Sequence, residues 1–571
     1  MISKLKKIIK REYLFFIFLF LIIFSYIVVK EVTDLDEIWN YNCAKQISEG
    51  LVPYRDISMI VTPLTSAISG IFLLLLGNSL LTMRVLAALL CTGIFFVTFK
   101  IFENLTCNTK LSVLCTLLLL ILTHDKLCID YNYMALFLIL LILYIELKVY
   151  DNRKLGVPRK GAETNKITID PKANALIGFA RKDAETNKIT INKKANILIG
   201  FLLGLLIVTK HTIGLIATAI VCLYPVLFIR SKNDFKSYIK MMLQRVVVLL
   251  VPVLILLIYL LVTGALDDFI SYSILGIKTF TNSIPYAILY ENDSKVIRIL
   301  AKITPFAIGV SVIVPIILNC RKRKQPENNQ SSNCKVSEPE VVSLNHERTK
   351  PAIMAAYIFT TLIIMYPISD QIHFLIATYI LFMNCLYLIY LALKFIYRKM
   401  KFIQTEKKAF WSNSILIVVD LLLLSFTFFG AVSNYEIYFF TQKEQKNHGI
   451  NHYQNIAISD ILKQRIIEID NYIKENQTQG IKTYILDSEA AVYNIPLDIY
   501  NKDYDMFDTG NFGKDGNQGI IRKIEHQRDT ENCVYLIKES GYNWQTPMEV
   551  IDYIKTNLEK VGEISFYSIY K

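Results

Sequence analysis

Windows of 14 to 20 residues almost free of charge recur along this chain, at 13–29, 84–99, 195–208, 246–262, 353–367, 374–393 and 412–431. About 20 apolar residues is the length a helix needs to cross the hydrocarbon of a bilayer. A soluble domain would instead alternate apolar and polar faces at helix or strand period. Composition agrees, with 53% of the 571 residues hydrophobic and a mean hydropathy of +0.38. The first window has no small-residue cleavage site behind it and runs straight into a charged loop, so it reads as a retained anchor.

The net charge of +13 does not point to nucleic acid, because the Lys and Arg residues cluster in loops between apolar windows. Such loops stay on the cytoplasmic side. The basic N-terminus (Lys4, Lys6, Lys7, Lys10, Arg11), the run 148–194 with twelve Lys and Arg, and 230–245 with five belong there, as do 321–350 and 394–408. The stretches 33–81, 124–132, 264–295 and 367–373 are poor in Lys and Arg and belong outside. Ten scattered cysteines without a Cys-x-x-Cys pair give neither a disulfide framework nor a metal site.

One apolar window decides the topology. Residues 62–76 carry Pro63, Thr65, Ser66, Ser69 and Gly70, and a crossing there would turn every later basic loop outward. The window therefore reads as a juxtamembrane helix on the outer leaflet. Eleven crossings remain, near 13–30, 84–101, 111–123, 133–148, 195–209, 212–229, 246–263, 297–318, 352–367, 374–394 and 412–431. The expected fold is mainly α: a polytopic transmembrane helical protein over 1–431, N-terminus cytoplasmic, and a small extracytoplasmic α/β domain over 432–571. The first outer loop is 31–83.

The cytoplasmic loop 149–194 contains a repeat, AETNKITIDPKANALIGF at 162–179 recurring as AETNKITINKKANILIGF at 184–201. It reads either as a duplicated partner site or as a tandem duplication tolerated in a surface loop. The polar stretch 325–347 reads as disordered. In the tail, helices are expected at 456–476 and 548–560 and strands at 483–487, 533–538 and 564–570. The Gly-rich 510–519 lacks the Lys-Ser/Thr of a phosphate loop and reads as a mobile loop.

The outer side gathers the unusual polar residues. Asp34, Asp36, Glu37, Arg55 and Asp56 lie in the first outer loop, and Arg84 at the start of the second crossing. Asp125 and Asp130 follow the third crossing, Lys210 and His211 join the fifth and sixth, and Asp370 and His373 join the ninth and tenth. Ionisable groups beside membrane segments are expensive and usually face a cavity or one another. Each has an ordinary alternative. Lys210 could snorkel to headgroups, His373 could be a satisfied helix-end residue, Asp34 and Asp36 could solvate a loop, and Arg55 could simply pair with Asp56. Asp34-Leu35-Asp36 could hold a divalent cation; no other cofactor is suggested, and no metal ligands are assigned.

Carboxylates beside cations at a membrane surface suit transfer from an anionic lipid. A lipid phosphate leaves as a stable anion and needs no acid, unlike the leaving oxygen in glycoside hydrolysis. Cations such as Lys210, His373 and Arg84 would stabilise its charge, and one carboxylate would serve as base.

These residues resemble the C superfamily of membrane glycosyltransferases, which includes protein O-mannosyltransferases and the aminoarabinose transferases of lipid A. The likeness lies in Asp36-Glu37, Gly50-x-x-Pro53-Tyr54-Arg55-Asp56, Pro63-Leu64, Gly77 and Arg84, with TKHTIG at 209–214 and YPISDQIH at 366–373 similar to later segments. It is specific over about 30–100 and architectural to about 431. It implies a polyprenyl-phosphate sugar donor and inverting transfer to a cell-envelope glycan, lipid or protein, with Asp36 as catalytic carboxylate beside Glu37. Thr62-Pro63 replaces the two prolines common in the family, and Asp34 is an additional acid, so Asp34 and Asp36 both stand as candidate bases. A transporter or flippase for a lipid-linked sugar, and an oligosaccharide polymerase or ligase, are the competing readings. The first lacks repeated, broken membrane segments here, and the second usually has its large outer loop late in the chain.

Overall fold

Helix boundaries follow capping residues. Ser79 accepts the Thr82 N–H at the start of one helix, Asn108 accepts those of Lys110 and Leu111, and Asn192 accepts that of Ala195. The computed structural model describes residues 2–32, 35–155, 192–229, 232–279, 283–320, 338–399 and 406–571. Its main helices are α1 (Ile2–Val28), α2 (Leu35–Ser48), α3 (Leu64–Leu76), α4 (Leu80–Thr106), α5 (Thr109–Thr123), α6 (Tyr131–Leu155), α7 (Lys193–Thr209) and α8 (His211–Leu223). They continue with α9 (Lys232–Val262), α10 (Lys295–Cys320), α11 (Glu338–Leu362), α12 (Gln371–Ala377), α13 (Tyr379–Lys399) and α14 (Glu406–Glu436).

Among the described residues seven helices are long and apolar enough to cross a membrane: Leu80–Thr106, Tyr131–Val149, His211–Phe228, Lys232–Val262, Lys295–Ile317, Tyr379–Ile396 and Ser414–Thr441. Glu12–Val28, Leu64–Leu76 and Thr349–Met365 are shorter apolar helices. Large apolar side chains point outward from the bundle, among them Ile255, Ile258 and Val262 of α9 and Leu422, Phe426 and Phe429 of α14. Such a surface belongs against lipid rather than water.

Close packing inside the bundle depends on small residues. Gly200 and Gly204, four apart on α7, face α9, where an added Cβ would lie 2.5 Å from the Arg245 and Leu249 carbonyls respectively. This is small-xxx-small packing, which lets two backbones approach. The same helices share a buried ion pair. Arg245 of α9 contacts Glu146 of α6 at 2.6 Å, donates to Asn196 of α7 and to the Val221 carbonyl of α8, and is 2% exposed.

The tail carries α15 (Asp460–Thr478), α16 (Gly516–Thr530), α17 (Met548–Asn557) and a four-stranded sheet ordered β1-β2-β4-β3. Strands β1 (Lys482–Ile485) and β2 (Cys533–Lys538) are parallel, with α16 in the connection between them. Strand β4 (Tyr567–Tyr570) pairs antiparallel with β2 and with β3 (Lys560–Ile564).

Several expectations need correction. The run 564–570 is not one strand, because Ser565 adopts a left-handed φ of 54° and turns the chain back as a hairpin. The helix expected from 456 begins at Asp460, where Ser459 accepts the Leu462 N–H. The glycine-rich 510–519 is not a free loop. Gly516 opens α16, the Lys514 N–H bonds to Ser271 Oγ, and Thr279 Oγ1 donates to the Gly513 carbonyl. The first repeat copy, 162–179, and the start of the second lie outside the described residues. The end of the second copy, 192–201, forms the cap and first turns of α7. Residues 325–337 also lie outside them, but 338–347, expected to be disordered with the rest of that stretch, form the first turns of α11.

Removing Glu146 would leave the Arg245 charge buried without its counter-ion, which typically costs about 3–5 kcal/mol. Glu146→Ala should therefore lower the melting temperature of the detergent-purified protein markedly; an unchanged melting curve would mean that the pair does not hold these helices together.

Candidate functional site

Asp36 and Glu37 stand in the first turn of α2, where the positive end of the helix favours carboxylates. They point to different partners. Glu37 is 2% exposed and receives both arms of Arg84, Nε at 3.0 Å and Nη2 at 2.8 Å. The remaining Arg84 N–H groups donate to the carbonyls of Val28 (3.4 Å), Lys30 and Glu31 (3.2 Å). A guanidinium has five N–H donors, and all five are taken. The expectation that Arg84 binds a donor phosphate, with Glu37 beside the base, thus meets two groups already spent on each other and on the end of α1.

Asp36 belongs to a different constellation. Its charge acts on Lys210 and on Tyr131, at the head of α6. Lys210 sits where the chain breaks between α7 and α8 in an extended conformation. The break is tight, because a Cβ on Gly214 would lie 2.5 Å from Ile207 Cα. Lys210 Nζ donates to Asn132 Oδ1 at 3.0 Å and lies 4.7 Å from the centre of the Tyr131 ring. Loss of hydration pushes the Lys210 ammonium down to about 8, against the pull of Asp130 and Asp36.

Asp130, at the mouth of α6, is 3% exposed. One of its oxygens accepts the Asn132 N–H at 3.0 Å; the other accepts no hydrogen bond among the described residues. Burial raises its carboxyl above the usual range, opposed by Lys210 and His373. His373 comes from α12. Asp370 caps that helix, accepting both the His373 N–H and its ring Nδ1 at 2.8 Å. Burial pushes Asp370 up, but these bonds and the His373 charge outweigh it and hold the carboxyl below its ordinary value.

Asp36, Asp130, Tyr131, Asn132, Lys210, Asp370 and His373 therefore form one electrostatic group drawn from four chain segments. Asp130 stood in the sequence as one more outer acid, and Tyr131 and Asn132 gave no signal. The capping position of Asp130 ahead of an apolar helix was the one available hint. His211 adjoins the group, with neither ring nitrogen hydrogen-bonded among the described residues.

Arg55 and Asp56 are held elsewhere. They pair through two bonds of 3.0 and 2.8 Å, Asp56 accepts the Val52 N–H, and Arg55 reaches the Thr263 carbonyl beyond α9. Asp34 lies outside the described residues. Among those described, no group of three or more His, Cys, Asp or Glu comes together to hold a metal ion.

No family model and no curated protein matches this sequence. Solved structures do. ArnT from Cupriavidus metallidurans bound to undecaprenyl phosphate superposes with a TM-score of 0.51 at 11% identity, covering 98% of this chain and 97% of that one. Its apo state gives 0.51 at 11% identity, with 96% and 95% covered. The oligosaccharyltransferase AglB from Archaeoglobus fulgidus, in complex with an inhibitory peptide and a dolichol-phosphate, gives 0.44 at 10% identity, over 90% of this chain and 69% of that one. The ArnT likeness runs through the bundle and the tail alike, so this chain shares the fold of ArnT over nearly its whole length.

Arg84→Ala should destabilise the protein by about 3–5 kcal/mol, since it strands a buried carboxylate. Lys210→Ala, removing a cation that is itself desolvated and makes one hydrogen bond and one ring contact, should lower stability far less. Equal melting temperatures for the two variants would contradict this division of labour.

Proposed function

We propose that this chain is a membrane glycosyltransferase that moves a sugar from a polyprenyl-phosphate donor to a cell-envelope acceptor, with inversion, on the outer face of the membrane. The observation that carries the reading is Lys210, set in the break between α7 and α8 and bonded to Asn132 two residues from the buried Asp130, within reach of the Asp36 charge, on a fold shared with ArnT. Lys210 receives the donor phosphate, and His373, oriented by Asp370, faces the same charge. The acceptor oxygen attacks the anomeric carbon and its proton passes to Asp36. The carbon–oxygen bond to phosphate breaks, and its electron pair leaves with the phosphate oxygen. Fixed cations aimed at that developing charge lower the barrier without reorganising. Asp130, by accepting the Asn132 N–H, helps to position the amide that holds Lys210, and His211 lines the same junction. Arg84 and Glu37 position the first turn of α2, while Arg55 and Asp56 brace the outer loop.

The topology that serves this chemistry has eleven crossings in 1–431, a cytoplasmic N-terminus and an outer α/β domain over 432–571. Helix α3 supports the reading of a surface helix. Thr65, Ser66, Ser69 and Gly70 pack inward and Leu74, Leu75 and Leu76 are exposed at its end. Gly70 lies close to α2, where a Cβ would stand 3.0 Å from the Ala44 carbonyl.

Three measurements bear on this. Envelope glycan analysis of a deletion strain complemented with Asp36→Asn should show the sugar missing, whereas full restoration by a normally made variant would remove Asp36 as base. Lys210 is charged below about 8 and neutral above it. Undecaprenyl phosphate binding should therefore weaken as pH rises through that value, by about tenfold per unit at higher pH, and Lys210→Ala should abolish the dependence. A single cysteine placed within 162–179 should resist impermeant thiol reagents on intact cells; ready labelling would overturn the eleven-crossing topology.

A further inference from the structure

Helix α2 is almost wholly buried although its sequence is polar, with Glu37, Asn40, Asn42, Lys45 and Gln46 all under 9% exposed. Apolar packing cannot place such a helix; its position depends on directional partners. Helix α3 lies along it, and the tail supplies the polar contacts. Trp39 Nε1 donates to the Ser488 carbonyl at 2.9 Å, and Lys45, fully buried, contacts Asp498 at 2.6 Å and the Tyr500 hydroxyl. Asn42 Nδ2 and Gln46 Nε2 both donate to Asp505 Oδ2 at 3.3 Å. The tail completes the Asp505 shell, with Asn494 Nδ2 at 2.9 Å and the Asn501 N–H at 3.1 Å. One buried carboxylate thus gathers four donors, two from the helix that carries Asp36 and two from the tail. Positions 39, 42 and 46 share one helical face, so the tail grips α2 along most of its length.

We propose that Asp505 is a positioning residue: through Asn42 and Gln46 it clamps α2 to the tail and so sets where Asp36 stands opposite Lys210. This rests on the functional reading above in taking that opposition as the working arrangement. The neighbouring Lys45–Asp498 pair is reinforced by His452, whose Nε2 lies 2.8 Å from Asp498 and whose carbonyl accepts the Leu80 N–H at the start of α4. The same tail thereby touches both α2 and α4, the two helices that Glu37 and Arg84 tie together.

The test follows the titration of Lys210 by competitive acylation and mass spectrometry on the full-length protein in detergent. Asp36→Asn should lower its midpoint, because a nearby negative charge is lost. Asp505→Ala should lower it by about half a pH unit, the size expected when a unit charge recedes by a few ångströms. The double variant should match Asp36→Asn alone. Asp529→Asn, an exposed acid of the same tail, should leave the midpoint unchanged. A native melting curve with an unmoved midpoint in Asp505→Ala would overturn the proposal, as would additive shifts in the double variant. Where Asp505→Ala fails to fold, Asn42→Leu and Gln46→Met, which each remove one arm, decide the matter, and no shift in either refutes it. Should Asp36→Asn itself leave Lys210 unmoved, the pairing in the functional reading fails and this inference falls with it.

Discussion

A guanidinium buried at the end of an apolar bundle must have every donor satisfied or the fold loses several kilocalories per mole. Arg84 meets that demand with Glu37 and three carbonyls at the end of α1. The result is a three-way joint between the exit of α1, the first turn of α2 and the entry of α4. Lys30 extends it by donating to the Leu127 carbonyl, just ahead of Asp130. Everything proposed for the site depends on this joint, because it fixes the residue next to Asp36.

From there the site is assembled by apposition. Four segments far apart in sequence each contribute an end: α2 with Asp36, α6 with Asp130 to Asn132, the α7–α8 break with Lys210, and α12 with Asp370 and His373. Helix ends are where backbone groups lack intrahelical partners, so polar side chains collect there for structural reasons first. Asp370 caps a helix and orients a histidine with the same oxygen.

How much of this the sequence disclosed follows from what kind of force placed each residue. Apolar windows mark the bundle helices because lipid imposes length and uniformity on them. Loop charge placed Asp36, Lys210, Asp370 and His373 on one side, and the structure brings these four into one group. Helix α2 was invisible as a helix, since a polar segment has no apolar period to read. That Arg84 and Glu37 saturate each other depends on geometry across 47 residues of chain, which no spacing reveals. The hairpin at Ser565 escaped for a local reason, a left-handed residue that is not glycine. Arg55 and Asp56, matched to the family by motif, bond to each other and to Thr263 instead.

Charge balance gives the site its remaining logic. Asp36, Asp130 and Asp370 bring three carboxyl groups to face Lys210 and His373, and a lipid phosphate would add further negative charge. A desolvated cluster accommodates an added anion by taking up protons. Asp130 leans that way already, because burial raises its carboxyl, while the Lys210 ammonium, lowered to about 8, stays charged at neutral pH. On the proposed reading, the entering phosphate competes with Asp130 for the Lys210 charge. Asp36, on the helix held by Glu37 at its start and by the tail along its length, is the carboxylate that on the same reading receives the acceptor proton. Base and cation can then lie close without neutralising each other, because a rigid, separately anchored helix keeps the carboxylate at a set distance from the ammonium.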